Sequence, residues 1–245
     1  MRLYYVRHAQ SANNHLYDTT GSGKGRSEDP LLTPVGWRQV GVVAEFLQNM
    51  QNGNSGGAVP ASDLQRVDHF HVTHVYSSLM IRAMATANAI AQAVRLPLVG
   101  RADIHEVGGM YLDDETNGST ISRPGQSRTF FQQEFPGCVL PDSVTEDGWW
   151  NRPFETPAER LPRAQRVWRD LLEKHGDSDD HIILVSHGAF FNYLLAAAVG
   201  LPDPAVSPYW FALNNASITR IDYRRGEVGV VYQNRLDHMP RDLLT

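Results

Sequence analysis

Two histidines and two arginines stand where they could handle a phosphoryl group. Arg7-His8 follows the apolar run Leu3–Val6, Ser186-His187-Gly188 follows Ile182–Val185, and Arg82 comes just after the apolar run Val72–Tyr76. In open α/β sheets ligands bind at the carboxyl ends of the strands, so Arg7, His8, Arg82 and His187 are expected to share one crevice. An imidazole offers a nucleophilic nitrogen, and guanidiniums offer charge and paired donors that match nonbridging phosphate oxygens. Taken singly, a histidine after a strand is more often a hydrogen-bonded structural residue, and His187 could merely cap a helix. Arg82 is more telling, because a cation in the first turn of a helix is unfavourable unless an anion joins it. No acidic metal ligands accompany the set, so neither a metal nor a cofactor is expected.

The elements that must position these residues are legible in the pattern. Leu3–Val6 and Ile182–Val185 show no polar alternation, as expected of strands buried on both faces. Thr33-Pro34 supplies an N-cap and a first-turn proline for a helix whose apolar face carries Gly36, Val40, Val43, Ala44 and Leu47. A polar, Gly-rich loop over 18–29 precedes it. Val72–Tyr76 reads as a strand closed by Ser77-Ser78, which cap a helix with the stripe Met80, Met84, Ala87, Ala91 and Val94. Leu161, Ala164, Trp168, Leu171 and Leu172 mark a long helix, and Phe191, Leu194, Leu195 and Ala198 mark another. Ser217–Tyr223 and Glu227–Tyr232 form a hairpin turning at 224–226. Strands alternating with helices predict a three-layer α/β/α sandwich with a mainly parallel sheet.

Composition narrows the field further. The chain has 245 residues, 42% hydrophobic and 20% charged, enough for a sizeable core. Residues 1–245 are expected to form a single domain. It carries a Gly-, Asn- and Ser-rich surface insertion near 51–61 and a lid near 108–154 with one short helix around Ser127–Phe135. A net charge of −5 argues against nucleic-acid and anionic-membrane partners, which need a basic face. Cys138 is the single cysteine, so no intrachain disulfide or thiolate metal cluster can form. The start of the chain has no apolar leader or cleavage site, and 189–199 is too short to span a bilayer, so a cytoplasmic protein is expected. His69, His71 and His74 are read as strand-edge residues, because no neighbouring carboxylate or thiolate completes a ligand set. Tyr111, Phe130, Phe131, Trp149, Trp150 and Phe154 read as lid packing, while Arg123, Arg128 and Arg152 could meet a second anionic group of a substrate.

Four motifs then carry a resemblance. Arg7-His8-Ala9-Gln10-Ser11-Ala12-Asn13-Asn14, Leu32-Thr33-Pro34-Val35-Gly36 through Gln39, Ser77-Ser78-Leu79-Met80-Ile81-Arg82-Ala83 through Thr86-Ala87, and Val185-Ser186-His187-Gly188 follow one another in the order and spacing of the histidine phosphatase superfamily. The sequence is similar to that phosphoglycerate mutase-like family over essentially its whole length. The resemblance implies that His8 attacks phosphorus to form a phosphohistidine, while Arg7, Asn14, Arg82 and His187 bind the nonbridging oxygens. Asn14 competes with Asn13 for that role. The resemblance also implies a carboxylic acid after the third strand, a place that Glu106 occupies with Asp103 and Asp113 close in sequence. Two positions depart from the common pattern. Ala9 stands for the usual glycine, adding a methyl where backbone approaches phosphate, and Gln10 replaces a frequent acidic residue.

The implied function is a metal-independent phosphomonoesterase acting on a small-molecule phosphate ester, with a homo-oligomer allowed. The alternative with the same residues is a mutase that returns the phosphoryl group to another hydroxyl. A third reading, from a different class, is a catalytically inactive phosphate-binding module.

Overall fold

The structure, a computed structural model, describes residues 1–53, 70–114 and 116–245. Its main sheet contains β1 (Arg2–Arg7), β2 (His74–Ser78), β3 (Leu98–Arg101), β6 (His181–Ser186), β7 (Ile218–Arg224) and β8 (Glu227–Arg235). A separate small hairpin pairs β4 (Tyr111–Asp113) with β5 (Thr120–Ser122). The strand order is β3-β2-β6-β1-β7-β8. The first four run parallel, and the β7–β8 hairpin adds antiparallel to β1. The sheet is therefore mixed, with its parallel part in the segment that carries the chemistry-bearing motifs.

Helices α2 (Pro34–Gln51) and α3 (Ile81–Val94) pack together over one face, and α5 (Pro157–His175) and α6 (Gly188–Val199) over the other. This explains the unalternated strands. Along β1, Tyr4 and Val6 enter the first layer while Leu3 and Tyr5 enter the second; along β6, Ile183 and Val185 go one way and Ile182 and Leu184 the other. Emptying a position such as Leu184, fully buried, to alanine costs about 2–5 kcal/mol in a core of this kind.

Thr33 caps α2 as expected, its hydroxyl accepting from Gly36 N at 3.0 Å. Gly36 itself is required by a close approach, since a Cβ there would lie 2.1 Å from the Gln10 carbonyl oxygen. Other expectations need correction. A helix not foreseen, α1 (Ala12–Thr20), takes in the first three residues of the expected loop over 18–29 and is capped by Ser11 and Asn14 in a reciprocal box. Ser77 and Ser78 belong to β2, and α3 starts at Ile81 with no cap from its own N-cap side chain. His74 is the first residue of β2, an internal strand between β3 and β6, and not on a sheet edge. The expected insertion near 51–61 lies, beyond residue 53, outside the described residues, as does His69.

The segment 108–154 does not stand apart from the core. It contributes the β4–β5 hairpin, α4 (Arg128–Glu134) at the place of the expected short helix, and Met110, Phe131, Phe135, Val144, Trp149 and Trp150 to the α2/α3-side cluster. Among the described residues no helix is long and apolar enough to cross a membrane.

Candidate active site

Arg7 ends β1, and the ladder continues one step further through His8 N donating to Ser186 O at 2.9 Å. This puts the His8 ring at the carboxyl end of the sheet. Its Nδ1 lies 2.7 Å from the Ala9 carbonyl, which only accepts, so Nδ1 carries the hydrogen and Nε2 keeps a lone pair. Arg82 Nε donates to that Nε2 at 3.2 Å. The His187 ring stands 5.1 Å from the His8 ring, and Ser78 Oγ lies 2.8 Å from His187 Nε2. Burial first, then the nearby Arg82 and Arg7 guanidiniums, hold His8 well below the ordinary histidine value. Burial first, then Arg82 and His8, does the same for His187. Both rings are thus neutral at neutral pH.

Two helix N-termini face this cluster. His187 is the N-cap of α6, its backbone held by the Tyr5 hydroxyl, which accepts from His187 N at 3.0 Å and donates to His187 O at 2.7 Å. The Arg7 side chain lies against the helix start, its Nε 3.4 Å from where a Cβ on Gly188 would stand. Arg7 also donates to the Leu213 carbonyl. Among the described residues Arg7 Nε and His187 Nδ1 are buried with no partner, and each such group costs about 1–3 kcal/mol. The open Arg7 Nε–H and two helix starts form a site suited to an anion.

Arg82, in the first turn of α3, has a carboxylate that sequence reading missed. Asp29 Oδ1 accepts from Ile81 N at 3.0 Å, supplying the absent cap, and lies 3.7 Å from Arg82 Nη1. Burial pushes Asp29 up to about 7 against the opposing pull of Arg82. The Asp29-Pro30 stretch showed only as the end of a loop, and its partner is 53 residues away. Thr86 entered only as part of a motif, with no role, and Asn215 escaped notice. Thr86 Oγ1 accepts from Ala9 N at 3.1 Å, and Asn215 Nδ2 donates to His8 O at 3.0 Å, so both fix the backbone at His8-Ala9. The Ala9 methyl is fully buried in the α2/α3-side core, so it does not narrow the pocket as its departure from glycine suggested. Gln10 is likewise structural, its Oε1 accepting from Thr33 Oγ1 at 2.7 Å.

Of the described carboxylates between β3 and β5, Glu106 alone reaches α6. Its Oε1 accepts from Val107 N and Phe190 N, both at 2.9 Å, and its Oε2 accepts a single longer bond from Ala189 N at 3.2 Å. Oε2 therefore keeps the freer lone pair. Asp103 is paired with Arg101 at 2.7 Å, and Asp113, largely exposed, lies 4.0 Å from Arg26. The loop carrying Glu106 is held by a buried pair absent from the sequence reading. Arg163 Nε and Nη2 grip both oxygens of Glu155 at 2.5 and 2.8 Å, while its Nη1 donates to the carbonyls of Asp103 and His105 at 2.9 and 3.0 Å.

Asn14 sits at the third position of α1, where its Oδ1 accepts from Ser11 N at 3.0 Å and from Asn215 Nδ2 at 3.3 Å. Its Nδ2 has no partner among the described residues. Asn13 instead bonds Ser27 through both ends of its amide, at 2.8 and 3.0 Å. The three arginines of segment 108–154 divide. Arg128 donates to the carbonyls of Val144 and Pro141, both at 2.8 Å, and is structural. Arg152 lies over Trp150, while Arg123 lines a cavity of about 240 Å³ with Glu28 and Asp29.

Comparison with known proteins agrees with this architecture. The sequence model of the histidine phosphatase superfamily (branch 1) matches residues 64–235. The chain is 27% identical over 224 residues to a probable phosphoglycerate mutase GpmB from Yersinia pestis, covering 91% of this chain and 86% of that protein. A phosphoserine phosphatase from Entamoeba histolytica, solved with 3-phosphoglyceric acid, shares the fold with a TM-score of 0.59 at 20% identity, covering 98% and 99% of the two chains. A mycobacterial glucosyl-3-phosphoglycerate phosphatase, solved with VO3, superposes with a TM-score of 0.52 at 19% identity over 90% of each chain. This chain belongs to branch 1 of the histidine phosphatase superfamily and is an enzyme of the phosphoryl-transfer type, with phosphatase or mutase activity.

Proposed function

We propose that the protein is a metal-independent phosphomonoesterase that hydrolyses a small phosphate ester through a phosphohistidine on His8. The observation that carries this reading is the His8 ring itself. Its Nδ1–H is engaged by Ala9 O at 2.7 Å, and its lone-pair nitrogen lies 3.2 Å from a buried guanidinium nitrogen of Arg82. A phosphoryl group entering there meets a neutral nucleophile inside a shell of donors, which supplies most of the stabilisation such a transfer needs.

In the first step the His8 Nε2 lone pair forms a bond to phosphorus as the ester P–O bond breaks. Glu106, protonated at Oε2, gives its proton to the leaving alkoxide. Arg7, Arg82, His187 and the Asn14 amide donate to the nonbridging oxygens. In the second step Glu106, now a carboxylate, takes a proton from water as the water oxygen bonds to phosphorus. The N–P bond breaks, releasing inorganic phosphate and restoring neutral His8. The charge of the transferring group is met by the two arginines, whose side chains are already desolvated. The solved relatives named for phosphoserine and glucosyl-3-phosphoglycerate act on small phosphate monoesters, which supports that substrate class here.

Phosphoglycerate mutase chemistry is the second reading, favoured by the name of the Yersinia relative. The test is phosphate release from an aryl phosphate in excess chelator, with a panel of phosphorylated metabolites and a phosphoglycerate isomerisation assay beside it. Chelator-resistant release that disappears in His8→Ala supports the phosphatase. Isomerisation with negligible release replaces it with the mutase, and a folded protein that takes no acid-labile phosphate label from any ester is a binding module.

A further inference from the structure

A second cluster of ionisable side chains lies at the opposite end of the sheet. His74 begins β2, His175 ends α5, and Asp180 directly precedes β6. One ligand atom from each lies within 4.8 Å of the others. His175 Nδ1 is 2.8 Å from Asp180 Oδ2, and His74 Nδ1 is 4.0 Å from Asp180 Oδ1. We propose that His74, His175 and Asp180 form a binding site for a divalent transition-metal ion, with zinc as its representative, separate from the phosphoryl-transfer site. The proposal does not depend on the phosphatase reading.

The donor set is chemically coherent. Two neutral imidazoles and one carboxylate, with solvent as the fourth ligand, match an open tetrahedral zinc centre. Two ligand atoms about 2.0–2.1 Å from zinc stand roughly 3.3 Å apart, between the two separations to Asp180 seen here, and with all three ligand atoms within 4.8 Å of one another an ion would close the set by turning the Asp180 carboxylate and drawing the His74 ring in toward the buried His175. Access is present: the His74 and Asp180 side chains are 38% and 23% exposed, while His175 is buried and fixed.

The surroundings also fit. A metal-bound imidazole usually donates its other ring N–H to a neighbouring acceptor, which sets its tautomer. His175 Nε2 lies 3.0 Å from Tyr76 Oη. On metal binding the His175 proton moves from Nδ1, where Asp180 now accepts it, to Nε2, where Tyr76 Oη accepts it. His74 Nδ1 exchanges its 2.8 Å contact with Thr73 Oγ1 for the metal. His175 is the last residue of α5, where the unpaired helix carbonyls favour positive charge.

The site is tested by zinc titration calorimetry and metal analysis on the untagged full chain at neutral pH. One zinc per chain is expected. His74→Ala and Asp180→Asn, both at accessible positions, should each weaken binding at least tenfold, and Tyr76→Phe should weaken it by about 10- to 100-fold. His71→Ala should bind as the wild type does, and so should His8→Ala, which separates this site from the histidine pair at the other end. Absence of stoichiometric binding by the wild type overturns the proposal. So does zinc binding that survives both His74→Ala and Asp180→Asn or that disappears in His8→Ala.

Discussion

The two ends of the parallel strands hold histidines in opposite electrical settings. At the carboxyl end, His8 and His187 are 3% and 0% exposed and face Arg82 and Arg7 beside the N-termini of α3 and α6. At the amino end, His74 and His175 stand beside Asp180 at the C-terminus of α5. The same side chain is therefore prepared for an anion in one place and for a cation in the other. The polarity of the fold accounts for this. Each strand delivers its end to the start of the next helix, where backbone N–H groups are open, whereas the opposite end collects helix carbonyls.

Substitution breaks this comparison most sharply at His8, the proposed nucleophile. His8→Ala should reduce phosphate release by roughly 10³-fold or more, as loss of a covalent nucleophile does elsewhere, while His74→Ala leaves release unchanged. Steady-state kinetics on both variants check this, and equal losses would erase the functional difference between the two ends. Glu106→Gln should cost about 10²–10⁴-fold with an alkyl phosphate, whose leaving alkoxide needs a proton. The loss should be much smaller with an aryl phosphate of good leaving ability. The ratio of the two losses separates proton donation from mere positioning.

Stability should follow next. Arg163→Met strands the Glu155 carboxylate in the interior and should cost about 3–5 kcal/mol in chemical denaturation. It also frees the loop bearing Glu106, so kcat should fall more than KM rises. A Tm unchanged by this substitution would show that the pair does not support the carboxyl end.

The smallest effects are electrostatic and oppose one another with pH. His8 and His187 have lowered values in the fold, so the unfolded chain binds their protons more readily. Their contribution is present above the unfolded value of 6.5 and is lost as pH falls below it. Inorganic phosphate should relieve this loss by occupying the cationic pocket, as a thermal melt series with and without phosphate will show. Asp29 behaves in the reverse sense. Its value is raised from 3.8 to about 7, so its contribution is present at low pH and is lost as pH rises through that window. The Tm of the wild type relative to Asp29→Asn should therefore decline from acid to neutral pH. A flat difference would mean that Arg82 keeps Asp29 ionised throughout.

Much of this protein was determined by the sequence alone. Unalternated apolar runs ending in Arg7-His8 and Ser186-His187 specify internal parallel strands and which side chains their carboxyl ends present. Thr33-Pro34 and the spacing of Val40, Val43 and Leu47 specify α2, because caps and helical periodicity are local properties. Groups whose meaning depends on a distant partner were decided only by the tertiary structure. Asp29 gains its role from Ile81 and Arg82, and Arg163 from Glu155 and the carbonyls of Asp103 and His105. His74, read in the sequence with His69 and His71 as lacking a carboxylate partner, gains one only where β6 and α5 bring Asp180 and His175 beside it. Chain neighbours govern backbone conformation within a few residues, whereas charge pairing and ligand geometry depend on through-space distance, which the packing of the sheet and helices alone supplies.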